Sequence, residues 1–294
     1  MRSARIIASA LILLAFPCVA LGQGTQSPPS TDAPQTNRVR VNYVPPTNPA
    51  HQDIYDLMKK RGTLERMQKL LSPFRLKRDL TLTVQSCGMD NAWYDSGVIT
   101  VCYEYLADAR KHSPKEETKD GVTPEDALVS QVYYVFLHEA GHAMFDLLTV
   151  PVFGNEESAA DQFATYMLLQ MGQDDARQLI LGASYTFRAF MNAAQTTEAT
   201  IGFADIHGTP AQRFFNLLCI GYGARPDVFG DLVEKGLLPK SRAQDCPFEY
   251  GALAYAVQQL IRPSVDQQLA KQVFNEAWLP SVTTRPKRPN PPPQ

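Results

Sequence analysis

The run Val132-Tyr133-Tyr134-Val135-Phe136-Leu137 constrains the fold of this chain more than any other segment. At helical periodicity it is apolar on every side, so its helix must be enclosed by other elements and cannot lie on a surface. The start of that helix is legible. Thr123 is a capping residue, Pro124 suits the first helical position, and Glu125 and Asp126 suit the positive helix end. The pattern predicts a helix to about Leu148, ended by Pro151 and Gly154. Enclosing it takes a sizeable core, which 294 residues with 44% hydrophobic content can supply.

Other segments read more simply. Ile54 to Leu71 has helical spacing through Ile54, Leu57, Met58, Leu64, Met67 and Leu70. Leu80 to Val84 alternates with Thr and reads as a strand. Val98 to Cys102 reads as a second, and a hairpin with a long loop is expected between them. Asn155 is placed to cap a helix over about 156–171, and further helices are expected near 174–195, 210–222 and 248–261. The fold class predicted is α+β, mainly α-helical, with a small β-hairpin or sheet beside the buried helix.

The ends differ from the middle. Arg2 and Arg5 precede an apolar run from Ile6 to Phe16, and Ala20-Leu21-Gly22 offers small residues for cleavage before Gln23. Residues 1–22 are read as a signal peptide; the run is too short for a spanning helix, and Pro17 argues against lipidation at Cys18. Residues 23–48 read as a disordered polar linker, 49–280 as the folded domain, and 281–294 as a proline-rich disordered tail. Export, to a periplasm or out of the cell, is expected, with no membrane span after cleavage. Signal removal leaves Cys87, Cys102, Cys219 and Cys246, an even number that suggests two disulfides. Three pairings are possible; Cys87–Cys102 and Cys219–Cys246 are favoured because each brackets one local unit. The net charge of −2 gives no electrostatic case for nucleic acid or an anionic membrane surface.

The enclosed helix carries His138-Glu139-Ala140-Gly141-His142. Residues four apart share a helix face, so His138 and His142 can reach one metal ion. Glu139 can accept a proton from a water that the metal activates. A third ligand is expected from Glu157. Asp161, four residues on, faces the same way and can take the free N–H of a ligand histidine. Glu156 points about 100° away and reads as a residue favouring the helix start. One Zn2+ per chain is the predicted cofactor.

The paired His-Glu-x-x-His and Glu-x-x-x-Asp helices resemble the gluzincin metallopeptidases, which include thermolysin and the membrane-associated CAAX-type proteases. The resemblance implies a zincin-like catalytic domain. Asn91-Ala92-Trp93-Tyr94 is similar to that group's edge strand, which implies that Asn91 and Ala92 bind extended substrate. His207, in His207-Gly208-Thr209-Pro210-Ala211-Gln212-Arg213, is similar to a downstream histidine that would steady the oxyanion. Over roughly 50–250 the chain also resembles a bacterial family of secreted metallopeptidases of unknown function. That likeness rests on Cys87-Gly88, Asn91-Ala92, Cys102-Tyr103-Glu104, the metal helices and Gln212-Arg213-Phe214.

A zinc metallopeptidase acting on peptide or protein substrates is therefore expected. Two other readings stay open: a secreted binding protein with structural zinc, and a zinc hydrolase of a non-peptide bond. Glu139 separates the first from catalysis, because a structural site has no use for a base there.

Overall fold

The computed structural model describes residues 37–194 and 205–279, which lie in one unit beginning at Asn37. The expected signal peptide at 1–22 and tail at 281–294 lie outside the described residues. The linker expectation is overturned at its far end, where Val39–Tyr43 forms a strand, β1. Val39, Val41 and Tyr43 alternate with Arg40 and Asn42, and Val39 is 1% exposed. This short period-2 signal is easily lost beside a long polar stretch.

The helical stretch at 54–71 is broken in two, α1 (Gln52–Lys60) and α2 (Thr63–Leu71). Gly62 makes the break, at φ 57°, in the left-handed region where a residue without Cβ is favoured. The Arg61 and Gly62 N–H groups close α1 onto the Leu57 and Lys59 carbonyls.

Three strands follow, β2 (Leu80–Gln85), β3 (Ala92–Asp95) and β4 (Val98–Cys102), in a sheet of order β1-β2-β4-β3. The expected hairpin between β2 and β4 is not formed: these strands are parallel neighbours, Leu82 opposite Ile99. The hairpin joins β3 to β4 instead, antiparallel, with Tyr94 opposite Ile99. Ser96 and Gly97, at φ 48° and 90°, both sit left-handed, as a two-residue hairpin turn of primed type requires. Leu82, Val84, Ile99 and Val101 are fully buried, as central parallel strands demand.

From Tyr103 the chain is helical: α3 (Tyr103–Lys111), α4 (Pro124–Leu147), α5 (Glu156–Leu169), α6 (Gln173–Ala194) and α7 (Pro210–Ala224). After short helical turns come α8 (Cys246–Leu260) and α9 (Gln267–Phe274). Helix α4 is the enclosed helix, begun by a reciprocal Thr123–Asp126 capping box. Its whole segment Val132–Gly141 is buried. A Cβ on Gly141 would stand 2.9 Å from Ala160 Cα, so this glycine lets α4 and α5 approach closely.

Both disulfides form as paired above, Cys87–Cys102 with Cα atoms 5.5 Å apart and Cys219–Cys246 with 5.0 Å. The first closes the loop that contains the β3–β4 hairpin. Glu104 ties the same turn, accepting the Cys87 and Gly88 N–H groups at 3.1 and 3.0 Å. Among the described residues no helix is long and apolar enough to cross a membrane.

Candidate metal centre

Close contact between α4 and α5 brings His138, His142 and Glu157 together, their ligand atoms all within 4.8 Å of one another. His138 Nε2 lies 3.1 Å and His142 Nε2 3.2 Å from the same atom, Glu157 Oε2. Tetrahedral ligands about 2.0–2.1 Å from a zinc ion stand roughly 3.3 Å apart, so these donors fit such an ion. Two neutral imidazoles and a carboxylate also match its preferred chemistry, and among the described residues this trio is free of disulfide sulfur, unlike the cluster at Cys87, Cys102 and Glu104.

Each imidazole is oriented from behind. Asp161 Oδ1 takes the His138 Nδ1–H at 2.7 Å, where the helical spacing of α5 puts it. Glu156 Oε1 takes that of His142 at 2.8 Å. The reading of Glu156 as a mere helix-start residue is corrected by this contact. The angle around α5 does place it off the Glu157 face, but its long side chain spans the gap to the outer edge of His142.

Arg213 is the residue that sequence reasoning passed over. From α7 its Nε and Nη2 reach Asp161 Oδ2 and Oδ1 at 2.9 and 2.7 Å, a two-pronged ion pair behind His138. Its guanidinium also lies over the Phe187 ring, 4.6 Å from the centroid. Tyr134, one turn before His138, stacks on that imidazole at 6.4 Å and 26°. The signal for Arg213 was an arginine in the helix following His207, and only the packing of α7 against α5 gives it meaning.

His207 also reaches the centre. Its Nε2 lies 3.1 Å from Glu157 Oε2 and its Nδ1 3.0 Å from Asp205 Oδ1. Asn155, which caps α5, donates from Nδ2 to the Ile206 carbonyl at 2.7 Å and so fastens this loop beside Glu157. Asn91 and Ala92 stand at the head of β3, an edge strand as the motif suggested. The Asn91 side chain accepts the Ala92 N–H at 2.9 Å, a local turn contact. Tyr94 holds the strand to α4, donating to Asp146 Oδ2 at 2.5 Å.

The charges are arranged to await a cation. Hydrogen bonds from His138, His142 and His207 hold the Glu157 carboxyl far below the usual carboxylate range. Burial alone would raise the Asp161 carboxyl, but Arg213 and His138 outweigh it and keep it ionised. Burial works against charge on His142, yet Glu157 and Glu156 push its pKa up to about 9. Glu139 is 6% exposed and burial raises its carboxyl, partly offset by His138 and His142. It forms no hydrogen bond to another described residue.

These shifts predict a pH dependence of metal binding. The metal-free centre holds a proton on His142 below about pH 9, and a metal must displace it. Protonation of His142 stabilises the metal-free fold fully below its unfolded pKa, near 6.5, and this stabilisation is lost as pH rises through about 9. Zinc affinity, measured by chelator competition, should therefore climb between pH 6.5 and 9, with proton release in calorimetry. A flat profile would contradict the assignment of His142 as a ligand.

Two imidazoles on one helix turn and a carboxylate from the next helix form a group that could hold a metal ion, with Asp161 beside the first imidazole. Residues 43–261 match the family described as "Putative metallopeptidase" (DUF4344), and the chain belongs to that family. Comparison with curated proteins and with solved structures finds no match.

Proposed function

We propose that the protein is an exported zinc metallopeptidase that hydrolyses peptide bonds. One observation carries this reading: the imidazole nitrogens of His138 and His142 meet at a single Glu157 oxygen, with their far sides held by Asp161 and Glu156. His138, His142 and Glu157 would hold the ion. Bound there, zinc supplies Lewis acidity, polarising a carbonyl and making a water nucleophilic near neutral pH.

This chain's own residues do the rest. Glu139 takes the proton from the attacking water and passes it to the leaving amine, and burial raises its carboxyl, which favours its taking that proton. His207, favoured as the imidazolium by Glu157 first and also by Asp205, donates from Nε2 to the developing oxyanion. The exposed edge of β3 pairs with extended substrate through backbone hydrogen bonds, with Asn91 and Ala92 at its head. Two disulfides and the signal-like N-terminus support work outside the reducing cytosol.

The testing experiment is metal analysis of residues 23–294 after dialysis, beside Glu157→Ala. About one zinc per chain is expected in wild type. The variant should lose nearly all of it while keeping both disulfides. Zinc-free, folded wild type would remove the basis for this reading, and so would a Glu157→Ala protein that retains stoichiometric metal.

A further inference from the structure

On the other side of α4 from the metal centre lies a cavity of about 440 Å3, bounded by α1, α2, α3 and the segment after α9 at Trp278 and Leu279. Its α4 wall is Leu128, Val129, Val132 and Tyr133, roughly 80–180° around the helix from His138. Ile54, Met58 and Leu106 complete an apolar floor. The volume falls within the roughly 300–1,000 Å3 of small-molecule sites.

The polar groups stand at the rim, and they are cations: Lys60, Arg61, Arg66 and Arg110. Arg61 is matched by Glu125 and Arg110 by Asp53. Lys60 has no acidic partner among the described residues. Arg66 donates to the Trp278 carbonyl at 3.0 Å and likewise meets no carboxylate among them. The rim thus carries two positive charges that no carboxylate among the described residues neutralises.

We propose that this cavity binds a long-chain carboxylic acid, its chain along the apolar floor and its carboxylate between Lys60 and Arg66. Charge complementarity selects an anionic head. The walls select the body: their backbone N–H groups are spent inside helices or, at Trp278 and Leu279, on Asp175, so an occupying peptide would leave its own N–H and C=O groups without partners. A hydrocarbon chain has none to satisfy. The chain's own continuation past Leu279 is a poor occupant, because Arg285, Lys287 and Arg288 would meet like charge.

The test uses zinc-loaded residues 23–294 titrated with cis-parinaric acid, a fluorescent long-chain carboxylate, and then with palmitate as competitor. One saturable site per chain is expected, with palmitate displacing the probe and its methyl ester competing far more weakly. Lys60→Glu should weaken binding about tenfold. Val129→Trp, which fills the cavity from its α4 wall, should abolish it; unfolding midpoints are recorded for both variants, and Lys60→Glu decides alone if Val129→Trp does not fold. The proposal is overturned by the absence of saturable binding, by equal competition from the ester, or by Lys60→Glu binding like wild type. It is also overturned if a peptide of residues 280–294 binds the cavity and palmitate does not. Every readout is a binding signal, so the outcome stands apart from whether the metal centre cleaves peptides.

Discussion

Replacing Glu139 by Gln is expected to leave the zinc content at its wild-type level and to lower turnover by roughly 10²- to 10⁴-fold. The two side chains have the same shape, so the enclosed helix packs as before. What changes is the proton inventory. The Glu139 carboxylate neighbours His138 in sequence, is 6% exposed, and forms no hydrogen bond with another described residue that would compete for it. An amide in its place cannot accept the proton of the attacking water or return one to the amine. The measurement is kcat/KM on a peptide substrate, with metal content determined on the same sample. A variant as active as wild type would remove Glu139 from the mechanism. Loss of zinc alongside activity would show instead that Glu139 supports the centre's structure.

The second large effect is expected from Arg213→Met. Asp161 lies partly buried beneath His138, its side chain 14% exposed, and its charge is matched by the paired Arg213 guanidinium at 2.7 and 2.9 Å. Removing one partner of a partly buried pair leaves the other uncompensated, a loss of about 1–3 kcal/mol once solvent screening is allowed for. Asp161 would then take up a proton or shift, and His138 would lose the acceptor that orients it. Zinc affinity should fall about 10- to 100-fold in consequence. Denaturant unfolding of the metal-free protein reads the first effect and chelator competition the second. Arg213→Lys keeps the charge but not the fork, so it should recover part of the stability and less of the affinity. The double substitution Asp161→Asn with Arg213→Met should unfold at higher denaturant than Arg213→Met alone, because no uncompensated charge remains. A single Arg213→Met variant as stable as wild type would show that solvent already reaches Asp161.

The parts of this protein that were legible in the sequence are those governed by geometry within one element. A helix turns by 100° per residue, so His138 with His142, and Glu157 with Asp161, had to share faces wherever those helices went. Helix starts at Thr123 and Asn155 are local chemistry, and both are used as caps. The two disulfides were legible because each closes a short local loop.

Only the tertiary structure decided what depends on elements remote in the chain meeting. The sequence of β2 and β4 is the same whether they pair parallel or antiparallel, and the choice belongs to the inserted β3 and its left-handed Ser96-Gly97 turn. His207 and Arg213 follow one another closely, yet the reach of the first to Glu157 and of the second to Asp161 exists only because α7 packs on α5. Glu156 illustrates the same divide: its angle on the helix was readable, while its contact with His142 depends on how closely α4 and α5 approach at Gly141. Ligand spacing is a property of one helix, whereas the carboxylates and the arginine that orient those ligands come from distances between helices, which no local pattern records.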